Sequence, residues 1–246
     1  MPTPFTHLAS AQRLLDDPGL PAAGRALLLR ELPAFLLGSI AADGQNEAGL
    51  RREDTHFYTY DRPIRVPLDD LMLDRHPELA APKDAAHRAF VAGFIGHLAL
   101  DEIWTEAVMR PYFIDATWGS SAERFLMLNI LLIGLDERDF ALLTPSTADG
   151  LRRATPNGWL PFLPDPALAA WREIITRQFE PGALPETLPI IGARTGVPVA
   201  GLRALLDSPD ALASRLWAHV PVAAVAKAEA AMHAAAVERV ARYLAG

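Results

Sequence analysis

The sequence predicts an all-α fold in one domain. Apolar residues recur at helical spacing along most of the 246 residues, and no segment shows sustained alternation of apolar and polar residues with β-branched enrichment. Half of the residues are hydrophobic, which is enough for a substantial core. Because no low-complexity linker or fixed-period repeat divides the chain, we expect a single multi-helix domain over residues 1–246.

The expected helices follow one another from the first residues to the last. One covers Leu14 and Leu15, a second runs from Ala26 to Leu37, and a central helix runs from Ala85 to Arg110. An alanine-rich helix beginning near Ala223 closes the chain. Since 21 prolines and 16 glycines punctuate these segments, the connections are predicted to be turns and not flexible linkers.

Three helix starts carry capping signals. One is a capping box, and the other two are an N-cap residue followed by proline at the first helical position. They are Ser120 with Glu123, Asp165-Pro166 and Ser208-Pro209.

Composition narrows the functional classes. The formal net charge is -7 and no Lys/Arg-rich run is present, so nucleic-acid binding is not expected. With no cysteine, any transition metal must be held by His, Asp or Glu. The N-terminal segment does not read as a signal peptide, and the longest apolar stretch, from Phe125, is too short for a bilayer and contains Asn129. We therefore expect a cytoplasmic protein without a transmembrane segment.

The central helix contains a polar pair in an apolar run, His97 and Asp101 in "FVAGFIGHLALDEIW". Four residues apart on a helix, the two side chains share one face and can bind one ion together. Gly93, one turn earlier, would leave room for a neighbouring segment or ligand. The alternative is a hydrogen bond between the two side chains within the core, since buried polar groups need a partner.

Three upstream residues add to this pair. Asp43 follows an apolar helix in a Gly-rich turn, His56 lies in an aromatic-rich segment expected to be non-helical, and His7 begins the first helix. Taken singly, these residues also fit a helix-ending turn, a histidine packed on Phe57 and Tyr58, and an exposed terminal residue. Together, three histidines and two carboxylates are what a cysteine-free zinc site, or a pair of sites, requires.

Histidines are concentrated before the segment "PYFIDATWGSS". Residues 1–115 are therefore expected to carry the metal site, and residues 116–246 to form a helical scaffold. Aromatic residues near the site are expected mostly in the core, with some lining a cleft: Phe57, Tyr58, Tyr60, Trp104, Tyr112, Phe113 and Trp118. Other His and Glu residues are expected outside the site, on exposed helix surface or off the His97 face: His76, His87, Glu102, Glu106, Glu229 and His233.

The order of these residues resembles that of the zinc-dependent phospholipase C family, which shares an all-helical fold with S1/P1-type nucleases. A His on the first helix, an Asp after the second, a further His and then H-x-x-x-D follow in the family's order. The stretches "LPAFLLGSIAADG", "DTHFY" and "FVAGFIGHLALDEIW" are similar to those of cytoplasmic bacterial members. The resemblance covers about the first 110 residues.

The resemblance implies a role for each residue. Asp43, His56, His97 and Asp101 would hold one zinc ion. Asp101 would also bridge to a second zinc, which His7 helps to bind, and Asp43 would act as a general base. The implied substrate is a phosphodiester, such as a small phosphoester or a lipid headgroup.

Three functional hypotheses follow. In the first, the protein is a zinc-dependent phosphoester hydrolase with a reduced metal set, in which zinc lowers the pKa of bound water and neutralises charge on a phosphoryl oxygen. In the second, a non-catalytic protein keeps the fold and a metal without turnover. In the third, the polar cluster binds no metal and the protein is a helical interaction module. Manganese or iron would accept the same ligands as zinc.

Overall fold

The structure is a computed structural model that describes residues 2–180, 182–183 and 185–246. Over these residues the secondary structure is helical without any strand, which confirms the predicted all-α class. The α-helices are α1 (Pro4–Asp16), α2 (Ala22–Arg30), α3 (Leu32–Ile40), α4 (Arg52–His56), α5 (Leu68–Arg75), α6 (Ala85–Trp104), α7 (Ser121–Ala141), α8 (Pro145–Arg153), α9 (Asp165–Arg177), α10 (Thr187–Thr195), α11 (Val199–Leu206), α12 (Pro209–Leu212) and α13 (Val222–Ala245).

Other helical forms connect some of these elements. Segments of 3₁₀-helix cover Ala41–Ala48 and Pro77–Ala80, and π-helical segments cover Thr105–Ile114 and Ala213–Trp217. The central helix therefore continues beyond the predicted Arg110, but with wider turns after Trp104.

The predicted single helix from Ala26 to Leu37 is wrong, because the chain breaks at Glu31 between α2 and α3. Pro33 explains the break. It has no N–H to donate, and its ring would crowd the carbonyl of Leu29 four residues earlier in a continuous helix. At the second position of a new helix, the same proline is tolerated.

Two of the three predicted N-caps are confirmed. The hydroxyl oxygens of Ser120 and Ser208 accept hydrogen bonds from the third residue of α7 and of α12, respectively. Asp165 is different, because Pro164 is the N-cap of α9. The Asp165 carboxylate instead accepts two hydrogen bonds from the backbone N–H of Gly158, at 2.8 and 3.0 Å, and so fixes the preceding loop.

The core is organised around α6, whose largest interfaces are with α3 and α13. Helices α3 and α6 cross at backbone contact. A Cβ atom on Gly93 would lie 2.2 Å from the carbonyl oxygen of Phe35, and one on Gly38 would lie 2.0 Å from that of Phe90. Glycine is thus required on both sides of the crossing, and the space predicted beside Gly93 is occupied by α3.

Helix α13 is tied to α6 by charged groups. The Arg239 guanidinium donates to both oxygens of Glu102, at 2.6 and 2.7 Å, and to Asp69 at 3.0 Å. In the described part of the chain no single helix is long and apolar enough to cross a bilayer. By length and composition alone, the pair Pro209–Trp217 and Val222–Ala245, bent by 75°, passes that test as a unit.

Candidate metal centre

Helix α6 places His97 and Asp101 one turn apart in the core, with at most 1% of either residue exposed. The Nδ1 atom of His97 lies 2.9 Å from the carbonyl oxygen of Ser39 in α3. Because a carbonyl only accepts, Nδ1 carries the proton and Nε2 is left to face the cluster. The close crossing at Gly38 and Gly93 brings this carbonyl within reach.

His56 is held in a similar way by its own helix. The prediction of a non-helical segment is wrong, since His56 is the last residue of α4, which ends where Phe57 adopts a left-handed conformation with φ of 65°. The Nδ1 atom of His56 lies 2.9 Å from the Thr55 hydroxyl, which donates its own proton to the carbonyl of Ala42. The hydroxyl must therefore accept from Nδ1, and Nε2 again faces the cluster.

Three side chains surround the Nε2 atom of His56, and together with it we call them the four-residue centre: Asp43, His56, His97 and Asp101. The Nε2 atom of His56 lies 3.4 Å from the Nε2 atom of His97, 3.4 Å from Oδ1 of Asp43 and 3.4 Å from Oδ2 of Asp101. The Nε2 atom of His97 lies 3.6 Å from the same oxygen of Asp101. All four residues are buried, with at most 8% exposed.

These separations are long for hydrogen bonds and suitable for a metal. A hydrogen bond from N–H to oxygen typically spans about 2.7–3.2 Å. Ligands bound tetrahedrally at about 2.0–2.2 Å from one zinc ion are about 3.3–3.6 Å apart. The combination of Asp43, His56 and His97 is therefore able to hold a metal ion, and so is that of His7, His97 and Asp101.

His7 reaches the other side of Asp101 from α1. Its ring stacks on that of His97 with centroids 3.7 Å apart and an 8° angle between the planes. Its Nε2 atom lies 3.4 Å from Oδ1 of Asp101, whereas His56 and His97 face Oδ2. Within the described residues neither ring nitrogen of His7 has a hydrogen-bond partner. The residue is 1% exposed, so it is not an exposed terminal residue.

The charges of the cluster compensate one another. Burial raises the pKa of Asp43, but the adjacent His56 and the charges of His97 and His7 outweigh burial and bring that pKa to about 2. Burial also raises the pKa of Asp101, yet its contacts with His97, His7 and Arg52 hold it well below its usual range. Both carboxylates are thus ionised at neutral pH.

The histidines differ in their proton affinity. Burial and the charge of Arg52 lower the pKa of His56 to about 4. Burial lowers the pKa of His97 as well, but the neighbouring carboxylates, Asp101 first, outweigh it and leave that pKa raised. His97 therefore holds a proton more tightly than His56 does, and a metal ion that binds its Nε2 atom competes with that proton.

Arg52 is a component of the site that sequence reasoning missed. It stands one helical turn before His56 in α4, and its Nη2 atom donates to Oδ2 of Asp101 at 2.7 Å and to the hydroxyl of Tyr58 at 2.8 Å. The available signal was the spacing of four residues between Arg52 and His56, which places both on one face of a helix.

A cavity of about 550 Å³ adjoins the four-residue centre. Asp43, Arg52 and Tyr60 form a polar part of its lining. The rest is mostly apolar and comes from both halves of the chain, for example from Phe5, Leu128, Leu132, Ile174 and Ile175.

Of the aromatic residues predicted near the site, Tyr60 lines this cavity. Phe57, Tyr58, Trp104 and Phe113 are buried in the core. Three exposed apolar side chains also line the cavity, at 36–49% exposure: Ile114, Phe125 and Ile190.

The remaining His and Glu residues have partners elsewhere. The prediction that His87 lies on exposed surface is wrong: it is 2% exposed, its Nε2 atom lies 2.9 Å from the carbonyl of Trp159, and its Nδ1 atom accepts from Lys83 N–H. His76 is partly buried against Phe162. The other contacts are ion pairs or hydrogen bonds away from the centre: Glu102 with Arg239, Glu106 with Arg110, Glu229 with Arg138, and His233 with Asp17.

No family model, no curated protein and no solved structure matches this chain. The resemblance to zinc-dependent phospholipase C therefore depends on the order and spacing of the cluster residues and on the stretches of sequence around them.

Proposed function

We propose that this protein is a metal-dependent phosphoester hydrolase with one ion in the four-residue centre. The observation that carries the proposal is the buried group of two histidine Nε2 atoms and two carboxylates, in which the contacts of His56 and His97 with each other and with the carboxylates measure 3.4–3.6 Å. A cluster held together by hydrogen bonds alone would have shorter contacts. We propose zinc as the ion, on ligand type and on the resemblance to phospholipase C, and we extend that resemblance to the arrangement of the helices.

The ion and the residues of the centre would have different roles in the reaction. Bound zinc supplies a Lewis acid that activates water and withdraws charge from a phosphoryl oxygen. Ser39 and Thr55 orient the two histidines through Nδ1. Asp43 faces the cavity and was expected to act as a general base, but a pKa of about 2 suits a metal ligand better, since a general base works best with a pKa near the working pH.

The cavity supports a substrate with both a polar and an apolar part. A volume of about 550 Å³ lies in the range of small-molecule sites, and its mostly apolar wall suits an alkyl or acyl group. With Asp43 and Arg52 in its lining, the phosphoester of such a molecule would lie beside the metal. We therefore propose a phosphodiester with an apolar substituent as the substrate class.

Metal content tests the centre. We expect about one zinc per chain in protein purified without chelator, measured by elemental analysis, and little or none in His97→Ala. His87→Ala is the matched control, because it removes another buried histidine from the same helix and should keep the ion. If His97→Ala retains full metal content while it remains folded by circular dichroism, the ligand assignment is wrong.

Turnover separates the hydrolase from a second candidate, a non-catalytic metal-binding protein. That candidate is favoured by the small ligand set, which lacks the further histidines of the secreted phospholipases. Hydrolysis of bis(p-nitrophenyl) phosphate that is lost on chelation and restored by zinc supports the hydrolase. A protein that holds zinc but turns over neither this ester nor an alkyl p-nitrophenyl phosphate is the metal-binding alternative.

A further inference from the structure

Arg52 is a cation built into the centre. Among the described residues, Arg52 is the only Lys or Arg within ion-pair distance of Asp43 or Asp101. Its contact with Asp101 measures 2.7 Å. The guanidinium lies over the rings of Tyr58 and Tyr60, at 5.0 and 5.3 Å from their centroids. Its side chain is 17% exposed and it lines the cavity next to Asp43. The contacts fix its position where the cavity meets the centre.

Two donor groups of Arg52 are not used by the protein. The Nη2 atom makes both of the hydrogen bonds to Asp101 and Tyr58, whereas Nε and Nη1 are buried without a partner among the described residues. A buried charged donor that is left unpaired is costly, and an arginine offers its donors in a planar fork that suits two oxygens of one phosphate. A substrate oxygen that reaches Nε or Nη1 would satisfy one of these donors.

The ligand supply limits the centre to one ion. His97 belongs to both of the metal-binding combinations, but its Nδ1 is engaged by Ser39, so a single lone pair, on Nε2, is available. An ion in the four-residue centre takes that lone pair. Among the described residues, a second ion would then have only His7 and Oδ1 of Asp101, fewer than the three or four protein ligands typical of zinc sites.

The net charge of the site loaded with one divalent ion matches a substrate that carries one negative charge. Asp43 and Asp101 contribute two negative charges, one divalent ion contributes two positive charges, and Arg52 contributes one more. The loaded site therefore has a net charge of +1. A phosphodiester carries one negative charge and would neutralise it.

We propose that Arg52 is the second cation of this site: together with one divalent ion in the four-residue centre, it binds the phosphoryl group of the substrate where the cavity meets Asp101. This inference rests on the proposed function. It assigns to an arginine the charge that a second metal would otherwise supply, and it makes Arg52 a residue that contacts substrate.

Phosphate binding to the zinc-loaded protein tests the proposal without turnover. Inorganic phosphate is titrated by calorimetry into the wild type, Arg52→Gln and Arg52→Lys. We expect Arg52→Gln to bind phosphate about tenfold or more weakly, the loss typical of a charged hydrogen bond. Arg52→Lys keeps the charge but not the planar fork, and should lie between the two. Arg153→Gln removes an exposed arginine of α8 that is not part of the cavity lining and should change phosphate affinity by less than about twofold.

Elemental analysis of the same samples distinguishes failure of the Arg52 inference from failure of the proposed function. One zinc per chain in the wild type and in Arg52→Gln, with weaker phosphate binding only in the Arg52 variants, supports the inference. Two zinc ions per chain in the wild type would overturn it, as would unchanged phosphate affinity in folded, zinc-loaded Arg52→Gln. A wild-type protein that takes up no zinc would instead overturn the proposed function itself.

Discussion

At the scale of single residues, hydrogen bonds at the Nδ1 atoms determine which ring nitrogen of each histidine is available to bind a metal. His97 and His56 each have Nδ1 engaged, by Ser39 and by Thr55, so both direct Nε2 to the same point. Such outer contacts fix ring orientation and increase the basicity of a ligating nitrogen. The proposed ligand set therefore depends on residues that would bind no metal themselves.

This dependence predicts a measurable effect of Thr55→Val. The substitution keeps the shape of the buried side chain but removes the oxygen that accepts from His56, so zinc affinity should fall by about 10–100-fold. Competition with a chromogenic chelator measures that affinity. Thr176→Val, which removes another buried hydroxyl in α9, should leave it unchanged. Equal zinc affinity in Thr55→Val and the wild type would show that Thr55 does not orient His56.

A second residue-scale prediction concerns Asp136, a buried carboxylate in α7. Burial, the largest influence, raises its pKa to about 6, although Thr187 donates a hydrogen bond to it. The ordinary value is 3.8, so between pH 4 and 6 the folded chain holds a proton that the unfolded chain has released. Stability contributed by the protonated acid is therefore lost as pH rises through this window, by roughly 2–3 kcal/mol.

Asp136→Asn removes the ionisable group, so that loss should disappear. We expect the variant to be more stable than the wild type at pH 7, and the difference to shrink towards pH 4. Urea unfolding at several pH values measures it. A constant difference across that range would contradict the raised pKa.

The sequence pointed to the five His and Asp residues of the buried cluster, but not to the residues that support them. The spacing of His97 and Asp101 was enough to predict that their side chains share one face of a helix. The structure brings His7, Asp43 and His56 close to them. Arg52 was missed because a charged residue in "RREDTHFY" looks like ordinary helix surface. Its burial against Asp101 depends on how α4 packs on the Ala41–Ala48 segment and directs Arg52 to α6, which is tertiary packing and not a local pattern.

At the scale of elements, the crossing of α3 and α6 positions the centre. Helical periodicity predicted α6 well, since its apolar run is long. Periodicity failed at Glu31 and at His56, where Pro33 and the left-handed Phe57 set the ends of short helices. Short helices contain too few turns for a pattern to be read, so their limits depend on such single residues.

The crossing itself predicts a contrast between two glycines of α6. In Gly93→Ala the new methyl group would meet the carbonyl of Phe35 at 2.2 Å, so the helices must separate, and we expect the free energy of unfolding to fall by about 2–3 kcal/mol. In Gly96→Ala the nearest atom is 3.7 Å away, on Val240. That variant should be as stable as the wild type or more so by up to about 1 kcal/mol, because alanine favours helix.

Urea unfolding in the presence of chelator makes this comparison independent of metal. The zinc affinity of Gly93→Ala should fall as well, since moving α3 displaces the carbonyl of Ser39 from His97. A Gly93→Ala protein as stable as Gly96→Ala would mean that the helices do not cross at backbone contact.

At the scale of the whole molecule, the two halves of the chain meet at the cavity. Residues 1–115 supply the four-residue centre, and residues 116–246 supply much of the apolar wall, including Leu128, Leu132 and Ile175. Sequence patterns did not indicate this wall. An apolar residue that lines a cavity and one that fills the core follow the same helical periodicity, and only packing separates them.

The cavity predicts a dependence on the length of the substrate's apolar group. For p-nitrophenyl phosphodiesters with linear alkyl substituents, each buried methylene contributes about 0.8 kcal/mol, so kcat/KM should rise by up to about fourfold per carbon until the space is filled. Ile175→Trp, which fills part of the cavity, should flatten this rise and leave zinc content unchanged. Leu142→Trp adds the same bulk at a position that is 60% exposed and should keep the full rise. If methyl and hexyl esters react equally with the wild type, the apolar group does not enter the cavity. If Ile175→Trp retains the full dependence, the group binds on another surface.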